Sequence, residues 1–260
     1  MLTILTPTYN RENTLDRLYK SLNEQSCNNF EWLVVDDGSK DNTLQKVQNY
    51  KSESFFTINV YSKSNGGKHS ALNTGVNLSN GEWICIVDSD DLLTNNAVES
   101  ILRATDTLSQ EYVGICFRKA NLMGEILGTP INKLNIEEIL TPTQAGHLYR
   151  ADLAYVFKKS AMLSCPFPII SGEKFVPELY IWNRISDLGL IKFYSHDYIY
   201  LCEYLEDGYS HNFKDNLRKN PKGFSLHYSA QFFREKKIKA KIKCAIRWLQ
   251  CQSYILRGML

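Results

Sequence analysis

The chain is short of net charge, of long apolar runs and of paired cysteines, and each shortage excludes something. Its 30 Lys and Arg nearly balance 28 Asp and Glu, leaving +2. There is thus no global electrostatic case for a nucleic-acid partner, only for local concentrations of charge. No apolar stretch approaches the length that spans a bilayer, so a membrane role has to be peripheral. Seven cysteines lie scattered, odd in number and without a Cys-x-x-Cys pair. Several sit inside apolar runs, which reads as reduced core thiols of a cytosolic protein and not as a disulfide framework. Met1 leads straight into Leu2-Thr3-Ile4-Leu5 with no charged leader or cleavage site, so a secretory signal is not expected. No Gly-x-Gly-x-x-Gly follows that first apolar run, which disfavours a dinucleotide site. Internal repeats and low-complexity segments are missing as well.

What is present begins with ordinary globular composition, 43% hydrophobic and 22% charged over 260 residues, enough for one large core or two modest domains. The most informative stretch is Trp83-Ile84-Cys85-Ile86-Val87-Asp88-Ser89-Asp90-Asp91. An apolar run that ends abruptly in carboxylates reads as a buried strand delivering acids to the rim of a sheet. Ligands of open α/β sheets sit outside the carboxyl ends of their strands, and alternate carboxylates on a turn suit a hard divalent cation. The plainer reading is a solvated turn capping the next helix.

Three further strand-then-helix units precede it. Leu2 to Thr6 leads into Pro7-Thr8-Tyr9-Asn10-Arg11, then a helix with Asn13 as cap, Asp16 three residues on, and Leu15, Leu18, Tyr19 and Leu22 at helical spacing. Glu31 to Val35 ends in Asp36-Asp37-Gly38-Ser39, after which Asp41 or Asn42 can cap a helix bearing Leu44 and Val47. Phe55 to Tyr61 runs into Asn65-Gly66-Gly67-Lys68 and a helix from about Ser70. Four such units predict a parallel sheet with helices on both faces and their loops on one rim. After about residue 110 strands and loops mix: Val113 to Phe117, a hairpin-like turn over 121–126, Ala154 to Phe157, and a Pro-, Gly- and Ser-rich loop from Pro166 to Lys174. A short helix is expected over Glu178 to Ile185.

From Arg234 the stretch carries Lys236, Lys237, Lys239, Lys241, Lys243 and Arg247 against Glu235 alone, while Ile238, Ile242, Ala245, Ile246 and Leu249 keep helical spacing. This basic amphipathic helix suits either peripheral contact with an anionic membrane through residues 232–249, with Phe232, Phe233 and Trp248 at the interface, or packing on the main domain with its lysines in water.

Four elements in order, Thr6-Pro7-Thr8-Tyr9-Asn10, Val35-Asp36-Asp37-Gly38-Ser39, Asn65-Gly66-Gly67-Lys68 with Ala71 and Asn73, and Asp88-Ser89-Asp90-Asp91, resemble the family 2 glycosyltransferases. Gly172-Glu173-Lys174-Phe175-Val176-Pro177-Glu178 with Trp182 and Arg184 is similar to the region where that family places its catalytic acid. Tyr204 to Ser210 and Asn220-Pro221-Lys222-Gly223 resemble a bacterial polysaccharide-synthesis subgroup. The resemblance implies the GT-A fold: a Rossmann-like nucleotide-binding half with a mixed central sheet, over 1–105, an acceptor-side half over 106–213, and a helical extension over 214–260. It implies a metal-dependent, inverting transfer from a nucleotide-sugar to a glycan or lipid-linked glycan at the cytoplasmic face of the membrane.

In that setting the resemblance places Tyr9 over the base and Asp37 on the imide N–H of a uracil, which favours a UDP-sugar without separating it from dTDP. Thr6, with the neighbouring Pro7, belongs to the same rim. Asp88, with Ser89 beside it, lies toward the ribose or the metal, Asp90 coordinates Mg²⁺ or Mn²⁺ directly, and Asp91 caps the next helix. Lys68 either neutralises phosphate or is a solvated loop lysine. His211 and His196 are candidates for a further metal ligand. The proton acceptor is Glu178, with Glu173 as its rival, because Pro177 stands where the family shows the first acid of a Glu-Asp pair. Two other readings remain: a sugar nucleotidyltransferase, although the loop after the first strand has no glycine, and a catalytically silent sugar- or nucleotide-binding module.

Overall fold

Burial on both faces of the central strands decides how the first half is layered, every residue of β1 and β2 being buried. The computed structural model describes residues 1–130, 137–203 and 212–258. It opens with β1 (Leu2–Thr8), α1 (Leu15–Asn23), β2 (Phe30–Asp36), α2 (Thr43–Glu53), β3 (Thr57–Ser62), α3 (Lys68–Leu78) and β4 (Trp83–Ile86). These four strands pair in parallel in the order β3-β2-β1-β4. Because successive side chains of a strand point to opposite faces, Leu2 and Ile4 join α1 and α2 on one side, while Leu5 joins Ala71, Leu72 and Val76 of α3 on the other. Helices therefore cover both faces, as expected. At Gly75, Leu5 lies so close that an added Cβ would meet its Cδ1 at 2.2 Å, which lets α3 settle onto the sheet.

The second half changes strand direction. It comprises β5 (Leu92–Leu93), α4 (Ala97–Asp106), β6 (Tyr112–Ala120), β7 (Glu137–Ile139), α5 (Pro142–Tyr149), β8 (Leu153–Lys158), α6 (Lys159–Ser164), α7 (Glu178–Ile185) and β9 (Leu190–Leu201). β8 inserts antiparallel between β4 and β6, and β9 continues the sheet parallel to β6. The result is one mixed sheet, ordered β3-β2-β1-β4-β8-β6-β9-β5, with β7 also paired to β9.

Two expected helix caps are not formed. α1 begins at Leu15, with Thr14 in the cap position and no side-chain cap. Asp16 instead accepts from Lys46 Nζ at 2.6 Å and from the Tyr50 hydroxyl, fastening α1 to α2. Asp91 does not cap α4, whose cap position is Asn96. The pairing of Leu92 and Leu93 with β9 comes first and delays the helix.

Three helices complete the described chain: α8 (Phe213–Lys219), α9 (Pro221–Arg234) and α10 (Ile238–Gly258). α9 is bound to α5 and α7 by Gln231, which meets Thr143 and Asn183, and is held at its start by Glu173. The Glu173 carboxylate accepts the backbone N–H groups of Lys222 and Gly223, each at 2.8 Å, placing negative charge on the otherwise unsatisfied N-terminus of α9. α10 lies against α9 through a face that buries Cys244 and Cys251. All seven cysteines are free, and six are buried.

Candidate active site

The carboxyl ends of β1, β2 and β4 meet over a cleft of about 1020 Å³. From β1 come Pro7, Thr8 and Tyr9, the last 43% exposed and so open to a flat ligand. From the end of β2 comes Asp37, whose Oδ1 accepts from Lys63 Nζ at 2.8 Å and from Gly66 N at 2.9 Å, and whose Oδ2 accepts from Gly67 N at 2.7 Å. The carboxylate thus holds Gly66 and Gly67, while the Asp37 backbone carbonyl accepts from Asn65 Nδ2 at 2.9 Å. Oδ2 keeps acceptor capacity for one further donor. Gly67 has φ +91°, and a Cβ there would stand 2.1 Å from the Lys174 carbonyl oxygen. Only glycine lets this loop touch the segment leading to α7.

The acidic turn after β4 is held from beneath by Tyr200 of β9. The Asp88 backbone N–H donates to the Tyr200 hydroxyl at 2.9 Å, and that hydroxyl donates to Asp91 Oδ2 at 2.8 Å. Arg17 adds a bond to the Asp90 carbonyl at 2.9 Å. Burial raises the Asp91 carboxyl to about 6 despite Lys119, and the nearby Asp88 and Asp90 push in the same direction. Asp91 is thereby a buried partner of Tyr200, with its own charge disfavoured.

Lys68, the first residue of α3, spans the cleft. Its Nζ lies 2.7 Å from Asp88 Oδ1 and 2.8 Å from Glu178 Oε1. Burial works to lower the Lys68 ammonium, and the two carboxylates overcome it and hold it above the usual lysine range. Burial likewise works to raise Asp88, but Lys68, Lys119 and Arg11 hold it below the usual carboxylate range. Glu178 opens α7 and faces the same cleft. The acid from β4 and the acid from α7 are therefore joined by one ammonium group.

Of the residues singled out in the sequence, Pro7, Tyr9, Asp37, Lys68, Asp88, Ser89, Asp90 and Glu178 line this cleft. Three others do not. Thr6 is fully buried, and its hydroxyl accepts from the Trp32 indole N–H at 3.0 Å, so it serves the core beneath the rim. Glu173 is turned away to the α9 N-terminus by the two amides described above. His196 borders a separate cleft between α4 and β9. His211 and the Tyr204 to Ser210 segment lie outside the described residues.

The cleft also contains residues that the sequence did not announce. Lys119, at the end of β6, sits with its ammonium 3.7 Å from the centre of the Tyr200 ring and faces the acidic turn. A cation ending an apolar run, as in Phe117-Arg118-Lys119, was the available signal. On the far side, beside Trp182 of α7, which the sequence had already singled out, stand Phe213, Phe224, His227 and Tyr228 of α8 and α9. Burial lowers the His227 imidazole to about 4, which keeps it neutral.

The Glycosyl transferase family 2 profile matches residues 3–165, more than half of the chain. The chain belongs to glycosyl transferase family 2. Its relatives include the GalNAc(5)-diNAcBac-PP-undecaprenol beta-1,3-glucosyltransferase of Campylobacter jejuni, 26% identical over 69% of this chain and 56% of that protein. The chain thus spans little more than half the length of that curated relative. Among solved structures, Staphylococcus aureus TarS 1–349 in complex with UDP superposes with a TM-score of 0.67 at 18% identity, covering 96% of this chain and 70% of that one. The mannosyltransferase PcManGT of Pyrobaculum calidifontis, in complex with GDP-Man and Mn²⁺, gives 0.62 at 15% identity, covering 99% and 74%. The fold is that of the GT-A enzymes.

In this family 2 chain, no group of three or more His, Cys, Asp or Glu among the described residues is arranged to hold an ion alone. The acidic turn fits an ion that takes most of its ligands elsewhere. Asp88 and Asp90 offer hard oxygens that line the cleft.

Proposed function

We propose that the protein is a metal-dependent, inverting glycosyltransferase that moves a sugar from a nucleotide-sugar, with UDP-sugar favoured, to a hydroxyl of a glycan or lipid-linked glycan on the cytoplasmic side of the membrane. The observation that carries this reading is the Lys68 bridge, which joins the acid of the nucleotide side to the acid of the acceptor side across a single cleft. The UDP bound by TarS and the undecaprenol-linked glycan named for the Campylobacter relative support the choice of donor and acceptor class.

Each group then has work suited to its position. Tyr9 covers the base, and the spare capacity of Asp37 Oδ2 takes the imide N–H of a uracil. Asp88 and Asp90 are the residues that would hold Mg²⁺ or Mn²⁺. The ion supplies Lewis-acid stabilisation of the departing phosphate charge. Lys68 offers a mobile ammonium to the same phosphates. Glu178 accepts the acceptor hydroxyl proton as the acceptor oxygen bonds to the anomeric carbon and the bond to the diphosphate breaks. The reacting carbon passes through an oxocarbenium-like state, and a single displacement inverts it.

The test is Asp90→Asn. Divalent-dependent hydrolysis or transfer from a UDP-sugar is lost, while the thermal unfolding midpoint and far-UV spectrum stay as in the wild type. Full turnover by a folded Asp90→Asn protein would sink the metal assignment.

A further inference from the structure

The apolar stripe read from the sequence is not the face that α10 packs against the protein. Ile238, Ile242, Ile246, Leu249 and Leu256 are between 53% and 74% exposed. At 3.6 residues per turn they fall, with Ala245, within an arc of about 100°. Cys244 and Cys251, the buried residues of α10, lie on the opposite side against α9. The helix therefore carries two apolar faces, one satisfied and one bare. Phe233, 81% exposed at the end of α9, adds a further bare aromatic side chain near the start of the stripe.

Charge identifies what the bare face suits. Ile238–Gly258 contains Lys239, Lys241, Lys243, Arg247 and Arg257 and no acid. By the same helical geometry Lys239, Lys243 and Arg257 border one edge of the stripe, and Lys236 and Lys237 precede it. A second copy of the chain would bring these lysine rows against each other about a two-fold axis, which like charge opposes. An anionic lipid surface satisfies both features at once: acyl chains take the isoleucines and leucines, and headgroups take the lysines.

We propose that α10 is an in-plane membrane anchor, docking on anionic lipid through Ile238, Ile242, Ile246, Leu249 and Leu256 with Lys239 and Lys243 at the headgroups. This is one arm of the alternative left open by the sequence, now fixed to a specific face. It does not rest on the transfer chemistry. It has a consequence for it, because α9 packs on α10 through Phe224 and Tyr228, and these residues with His227 also line the cleft. Docking holds the acceptor wall of the cleft near the bilayer.

The experiment is co-sedimentation of the intact chain with vesicles of phosphatidylglycerol and phosphatidylcholine, compared with pure phosphatidylcholine, at low and high salt. Expected is salt-sensitive binding that requires phosphatidylglycerol and weakens at least tenfold in Ile242→Ser/Leu249→Ser and in Lys239→Glu/Lys243→Glu. These side chains are exposed, and an unchanged unfolding midpoint establishes that both variants fold. The proposal is overturned if the wild type does not sediment with phosphatidylglycerol vesicles, or if either double variant binds as the wild type does. It is equally overturned if light scattering finds a stable dimer that the Ser variant dissolves while lipid binding is absent. UDP-induced stabilisation, measured on the same samples without lipid, tests the proposed function separately.

Discussion

Protonation of His227 measures how closely α9 is held against the cleft. Burial brings this imidazole from 6.5 down to about 4, and its Nδ1 has no hydrogen-bond partner among the described residues. A histidine whose folded value is depressed resists protonation in the native state. Its stability contribution is therefore complete above the unfolded value and is lost as pH falls from 6.5 toward 4. The gap of about 2.5 corresponds to about 3.4 kcal/mol in the acid limit, of which about 2.5 kcal/mol is already lost at about pH 4.5. Urea unfolding at about pH 7.5 and about pH 4.5, on the wild type and His227→Gln, isolates this amount. The wild type loses about 2.5 kcal/mol more than the variant between the two conditions. His69 is also depressed by burial, but it is present in both proteins and cancels. An equal acid loss in both would refute the reasoning, because it would mean that His227 is already hydrated in the native protein.

Two further substitutions separate support from function. Thr6→Val leaves the buried Trp32 N–H without its acceptor and costs about 1–3 kcal/mol, while UDP affinity by calorimetry is unchanged. Lys68→Met leaves Asp88 and Glu178 facing the cleft without their shared ammonium. Partial exposure discounts the loss to about 1–3 kcal/mol by urea unfolding. Adding Asp88→Asn recovers part of it, and a strictly additive double variant would show that the pair is uncoupled.

The local signals in the sequence proved legible where structure follows from spacing. Ile181, Trp182 and Ile185 recur at helical intervals, and α7 runs over the expected Glu178–Ile185. Short apolar runs ending in turns marked β1, β2 and β4, and with them the rim on which Tyr9, Asp37 and Asp88 stand. Pairing between distant segments was not legible. β9 holds Lys192, Ser195, His196 and Asp197 and lacks a clean alternation, yet it runs for 12 residues because β6, β5 and β7 all bond to it. Tyr200 reaches the acidic turn only through that long-range pairing, and Asp91 is diverted from helix capping for the same reason. Glu173 and Glu178 lie five residues apart in similar surroundings of sequence. What separates them is α9, whose bare N-terminal amides claim Glu173 and leave Glu178 to the cleft.

The ammonium bridge over the cleft also sets a timetable. While Lys68 holds Glu178, the carboxylate oxygen Oε1 is engaged by the ammonium at 2.8 Å. A diphosphate entering beside Asp88 competes for the same ammonium group and draws it away from α7. On the proposed assignment, donor arrival is what frees the base, so an acceptor that enters first finds the Glu178 oxygen still engaged by Lys68. The kinetic signature is ordered addition, donor before acceptor, imposed by one lysine.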